Sequence, residues 1–96
     1  MNLNFNKIDN VLNVSLDGRL DTTTAPEFDS FLGQNLGGVN ELNIDCKNLV
    51  YLSSAGLRVL LVAHKKMNGK MKLTNVCELV MEVFELTSFA DILVIE

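Results

Sequence analysis

Apolar and polar residues alternate at the start of the chain. Leu3 and Phe5 sit among asparagines, Ile8 is shifted by one, and Leu12, Val14 and Leu16 resume period two. That period belongs to a strand with one buried face. Asp9-Asn10 between the runs is hairpin-turn chemistry, because both residues tolerate positive φ. The pattern predicts paired antiparallel strands near 3–8 and 11–17, the second closed by Gly18. The period then lengthens. In TAPEFDSFLGQNLGG, Phe28, Phe31, Leu32 and Leu36 recur at helical spacing and form one stripe. Thr24 and Glu27 have capping-box spacing, Pro26 is tolerated in a first turn, and Gly37-Gly38 supplies a left-handed end.

The same alternation of elements continues. ELNIDC reads as a strand near 41–46, and SSAGLRVLLVAHKKMNG as a helix ended by Asn68-Gly69. A strand follows near 70–74. Asn75 and Glu78, again at capping-box spacing, open the helix CELVMEVFEL, and DILVIE is a last short strand. The order ββαβαβαβ predicts one α/β domain over residues 1–96. Its sheet is mixed but mostly parallel, with an N-terminal antiparallel hairpin and right-handed crossovers. The helices cover mainly one face and leave the other partly open.

Composition narrows the function. The chain has 96 residues, 48% hydrophobic and 21% charged, with a formal net charge of −4. An acidic balance argues against nucleic acid, which needs clustered Lys and Arg. The one basic group, Lys65, Lys66, Lys70 and Lys72, reads as a solvated helix end and turn. Cys46 and Cys77 lie far apart without metal-ligand spacing, so free thiols are expected and no cofactor or metal is implied. The N-terminus lacks a signal-peptide pattern, and no apolar run approaches a membrane span. A cytoplasmic location without membrane insertion is the expectation.

The chemistry concentrates in YLSSAGLRVLL, residues 51–61. Ser53 is placed as the N-cap and Ser54 as the first helical residue. Gly56 sits in the first turn, where alanine is the better helix former by about 1 kcal/mol; a glycine there implies close backbone approach. Leu57, Leu60, Leu61 and His64 make a core stripe, widened by Val59, Val62 and Ala63. A second face runs through Ala55, Arg58 and Val62 and begins beside Ser54. Spacing alone reads the serines as caps. A phosphate on Ser54 would nevertheless sit at the positive end of a helix and bring about two negative charges to the rim of an apolar patch. His64 is ten residues on, roughly 15 Å at 1.5 Å per residue, too far to activate Ser54. Asp17, Asp21 and Asp45 lie at strand ends without metal spacing. No nucleophile–base pair is legible, and an enzyme is not expected.

YLSSAGLRVLL resembles the signature of STAS domains, and the resemblance spans nearly the whole chain. VLNVSLDGRLDTTTAPEFDSFL is similar to that family's opening strand, turn and first helix. LNIDCKNLVYLSSAGLRVLL is similar to its third strand and phosphorylation loop, and KMKLTNVCELVMEVFELTSFADIL to its last unit. The resemblance implies an anti-sigma-factor antagonist. In its dephosphorylated form such a protein sequesters a serine-kinase anti-sigma factor of the GHKL type and frees a sigma factor; a PP2C-type phosphatase resets it. Matching Gly56-Leu57 to the family's Gly-Leu puts the phosphoacceptor at Ser54, with Ser53 as the fallback. Ser53 stands where the family loop has an aspartate, and Ala55 where it has Ser or Thr. Asp21 falls on the turn aspartate that contributes to kinase recognition. The partner surface so implied is Asp21, Thr22, Ser53, Ser54, Gly56, Arg58 and Val62. The alternative is an accessory or docking subunit of another signalling or transport complex, without a phospho-switch.

Overall fold

The computed structural model describes residues 1–96. The alternating runs form β1 (Asn2–Ile8) and β2 (Val11–Leu20), joined antiparallel by Asp9-Asn10, with Asp9 at φ 55°. In β2 the side chains of Leu12, Val14, Leu16 and Leu20 are buried, and Asn13 and Ser15 between them face the other way. The chain continues through α1 (Ala25–Asn35), β3 (Glu41–Leu52), α2 (Ser54–Lys66), β4 (Met71–Thr74) and α3 (Glu78–Leu86). A 3-10 turn at Phe89–Asp91, which the sequence pattern did not suggest, precedes β5 (Val94–Ile95).

The sheet has five strands in the order β1-β2-β3-β4-β5, antiparallel at the first pair and parallel elsewhere. Successive right-handed crossovers that step in one direction place their helices on one face. That face is dry. Phe28 and Leu32 of α1, Leu57, Leu60 and Ala63 of α2, and Val80 and Phe84 of α3 join Leu12, Val14, Leu42, Ile44, Met71 and Leu73 in one core. Each fully buried Leu or Phe contributes about 1.5–3 kcal/mol relative to exposure. The opposite face is polar. Register aligns Asn6, Asn13 and Asn43 across three strands, and their amides form a ladder at 3.1 and 3.0 Å.

Several local expectations are corrected. β2 does not close at Gly18, and β3 does not end at 46. Both strands run on, because register shifts around Ser15/Asp17 and Gly18/Arg19 let the chains re-pair as Gly18↔Leu49, Arg19↔Tyr51 and Leu20↔Leu52. Gly18 takes φ 112° inside β2, a bulge conformation rather than a stop. Neither capping box forms. The Thr24 hydroxyl accepts from Asp21 N–H at 2.9 Å and donates to the Arg19 carbonyl at 2.8 Å, so it makes no bond to α1. Asn75, at φ 56°, turns its amide onto Asp45 at 3.0 Å, and Cys77 becomes the residue that precedes α3. At the end of α1 only Gly38 is left-handed, at φ 77°. On α2 the buried set is Gly56, Leu57, Val59, Leu60 and Ala63; Leu61 and His64 are partly exposed. The core stripe therefore runs one residue to the side of the expected Leu57–Leu60–Leu61–His64 line.

Because β2 and β3 are parallel neighbours, their C-terminal ends meet at one rim of the sheet, where each turns into a helix. The two turns, Asp21–Thr24 and Ser53–Gly56, lie side by side there. Crevices outside the carboxyl ends of parallel strands are the usual binding places of such sheets.

Candidate functional site: two adjoining strand-to-helix turns

The second turn is built on a missing side chain. Ser53 N–H donates to the Leu20 carbonyl at 2.9 Å, docking the end of β3 on the end of β2. One turn later Gly56 lies over the same residue. A Cβ on Gly56 would stand 2.7 Å from both the Leu20 carbonyl oxygen and its Cγ, and 2.9 Å from Leu52 Cδ1. Backbone cannot yield at that distance, so only glycine lets α2 approach β2 this closely. The glycine was expected to mark close approach, and its contact is with the neighbouring strand.

The same geometry gives the two serines different work. Ser53 is extended, at φ −95° and ψ 173°, and its hydroxyl accepts from Gly56 N–H at a long 3.4 Å. It is the N-cap and is partly buried. Ser54 opens α2, is exposed, and its hydroxyl makes no hydrogen bond within the protein. Ala55 tucks against the core. Of the three consecutive small residues, only Ser54 presents a free oxygen to solvent, beside unpaired first-turn N–H groups.

The first turn is tied internally. Asp21 Oδ1 accepts from Thr23 N–H at 3.0 Å, the Thr23 hydroxyl at 2.8 Å and Thr24 N–H at 3.2 Å. The Thr23 hydroxyl is the largest influence on the carboxyl. Desolvation opposes it and the two N–H groups add to it, leaving the pKa lowered to about 2. Asp21 is a fixed negative charge at neutral pH. Its second oxygen, Oδ2, lies 3.6 Å from Arg19 Nε, and the Arg19 guanidinium stacks 4.0 Å above the Tyr51 ring. Thr22 is exposed at the tip of the turn.

Beyond the turns, the exposed residues of α2 form a line: Ser54, Arg58, Val62 and Lys65. This line leads into an apolar groove of about 260 Å³ whose walls include Arg58, Leu61, Val62, Phe89 and Ile92. Ile92 is 52% exposed and Val62 38%, so the groove is open to a visitor. The rim thus brings Asp21, Thr22, Ser53, Ser54, Gly56, Arg58 and Val62 onto two adjacent elements. Gly56 itself is buried; it shapes the surface and does not touch solvent.

Asp17, Asp21 and Asp45 do not converge. Asp45 is engaged with the Asn75 amide, which is the main reason its pKa is lowered, and with Lys47 N–H. No group of three or more His, Cys, Asp and Glu side chains is placed to hold a metal. Both cysteines are unpaired, and burial pushes the Cys46 thiol up to about 12. No helix is long and apolar enough to cross a membrane. Sequence reasoning missed Arg19. Its only signal is its place two residues before Asp21; its stacking on Tyr51 depends on the β2–β3 register.

The chain belongs to the STAS-domain family, whose pattern it matches over residues 2–96. It is similar to BtrV of Bordetella bronchiseptica, a candidate anti-sigma factor antagonist. The two are 34% identical over 96 residues, which is 96% of this chain and 83% of that protein. The anti-sigma-B factor antagonist of Bacillus subtilis is 29% identical, over 97% of this chain and 88% of its own length. Among solved structures, the Bacillus cell fate determinant SpoIIAA shares the fold in two forms. Its unphosphorylated form gives a TM-score of 0.85 at 15% identity, covering 99% of this chain and 88% of that one. Its phosphorylated form gives 0.76 at 15% identity, covering 99% and 91%.

Proposed function

We propose that this protein is an anti-sigma-factor antagonist whose binding is switched by phosphorylation of Ser54. The observation that carries the reading is the division of labour at the start of α2: Ser53 is spent as the cap, and the adjoining Ser54 hydroxyl is exposed and unbonded. The relatives named as anti-sigma factor antagonists support the class of partner.

In the dephosphorylated state the rim of Asp21, Thr22, Ser54, Arg58 and Val62 docks on a serine-kinase anti-sigma factor of the GHKL type. Held there, Ser54 Oγ attacks the γ-phosphorus of ATP on the kinase. The new O–P bond replaces the bond to ADP, and the hydroxyl proton passes to the kinase's base. The product carries close to two added negative charges beside Asp21, which is itself ionised at any physiological pH. Like-charge repulsion, and the cost of desolvating the phosphate at the edge of the apolar groove, then release the partner. A PP2C-type phosphatase restores the hydroxyl. The domain supplies an acceptor and a surface, and the catalytic groups belong to its partners.

The test is phosphorylation by the cognate kinase with ATP, mapped by peptide mass spectrometry, together with partner titration of two variants. The phosphate is expected on Ser54. Ser54→Asp is expected to weaken binding about 10–100-fold, the effect of a misplaced interfacial charge costing about 1.4–2.8 kcal/mol. Ser54→Ala is expected to keep binding. Phosphate confined to Thr22–Thr24 or Ser53, or equal affinity of the two variants, rejects the switch.

A further inference from the structure

The line of exposed residues on α2 holds one pair with a definite geometric relation. Ser54 and Arg58 are four residues apart on a continuous α-helix, and both face solvent. Residues at that spacing are surface neighbours, with Cβ atoms about 5–6 Å apart. The order is also the favourable one: an anion toward the N-terminus and a cation one turn later, aligned with the helix dipole.

Arg58 is uncommitted. The ion pairs of the protein are Arg19–Asp21 and Lys72–Glu96, and no side-chain hydrogen bond engages Arg58. Arg19, the other guanidinium near the rim, is held twice: by Asp21 at 3.6 Å and by the Tyr51 ring at 4.0 Å. A phosphate on Ser54 therefore meets one free guanidinium on its own helix, and the planar fork of arginine matches phosphate oxygens two at a time. Arg58 is also a wall of the apolar groove, beside Leu61 and Val62.

We propose that Arg58 is the internal receiver of the Ser54 phosphate. Modification draws its side chain back along α2 onto the phosphate and takes it out of the groove wall. The partner then loses a free cation as well as meeting new negative charge, so one covalent event alters both the rim and the groove beside it. This deepens the reading of Ser54 as the modified hydroxyl and rests on it.

The experiment installs phosphoserine at position 54 of the full chain during translation, so no kinase is needed, and follows the second phosphate ionisation by phosphorus NMR. A neighbouring guanidinium favours the dianion and lowers that pKa. Arg58→Gln is expected to raise it by about 0.3 pH unit, the scale of an exposed pair at this spacing. Arg58→Lys is expected to keep at least part of the lowering, and Arg19→Gln to leave the value unchanged. An unchanged pKa in Arg58→Gln, or a rise in Arg19→Gln in its place, overturns the assignment. Because the phosphate is placed by synthesis, this outcome is independent of whether a kinase selects Ser54, which the mapping experiment answers separately.

Discussion

The turn at Asp21–Thr24 and the turn at Ser53–Gly56 are neighbours on one rim, follow parallel strands and open successive helices, yet they are bonded in opposite ways. In the first, one carboxylate oxygen collects the Thr23 hydroxyl and the N–H groups of Thr23 and Thr24, while Thr24 ties Asp21 to Arg19. In the second, a single 3.4 Å side-chain bond caps the helix, and the next hydroxyl is left over. A turn closed on itself makes a rigid reference charge. A turn with a spare hydroxyl can be rewritten. The proposed switch uses both: Asp21 stays in place as a fixed charge while Ser54 gains one.

The sharpest way to break the arrangement is Gly56→Ala. A methyl group 2.7 Å from the Leu20 carbonyl forces α2 away from β2, and overpacking of this kind costs about 1–3 kcal/mol. A lowered urea midpoint with an unchanged slope is expected, with loss of partner binding. Stability equal to the parent would show that α2 does not rest on Leu20.

Ser53→Ala separates the serines with a smaller effect. Loss of an N-cap costs about 0.5–2 kcal/mol, and the long 3.4 Å bond places this one at the lower end. The variant is expected to melt slightly earlier and still to take phosphate on Ser54. A variant that stays folded but accepts no phosphate would move the acceptor to Ser53.

The smallest effect is read by pH. The Asp21 carboxyl is lowered from 3.8 to about 2 by folding, so its contribution is fully present above about 4 and is lost as pH falls through 2. Asp21→Asn keeps an oxygen acceptor but not the charge. It is expected to be less stable than the parent at neutral pH, with the gap narrowing across that acid window in chemical denaturation. A gap that does not change with pH would mean that the ionised carboxylate is not what holds the turn.

Most of the fold was legible because its signals are periodic. Period two in Leu12–Val14–Leu16 and helical spacing in Phe28–Leu32 report which side is wet, and nothing distant is needed to read them. Most of the errors fall where periodicity is interrupted or a polar side chain has a choice of partners. The bulges around Gly18 broke the alternation and hid the far halves of β2 and β3. Thr24 and Asn75 had the spacing of caps, but Arg19, Asp21 and Asp45 offered them other bonds, and no local pattern ranks such options. Ser54 and Asp21 came from a resemblance rather than from spacing. The unequal places of Ser53, as cap, and Ser54, as first helical residue, were legible from the helix-start pattern; what the sequence could not supply was the docking of Ser53 on Leu20 across the sheet.

The bare α-carbon of Gly56 has a mechanical consequence. With the Leu20 oxygen filling the room that a methyl group would need, the threonine-rich bend and the tip of α2 are locked at a fixed spacing, like two teeth of one gear. On the proposed function, a partner that grips the bend through Asp21 thereby sets where the acceptor oxygen of Ser54 arrives, with no slack between the handle and the tool.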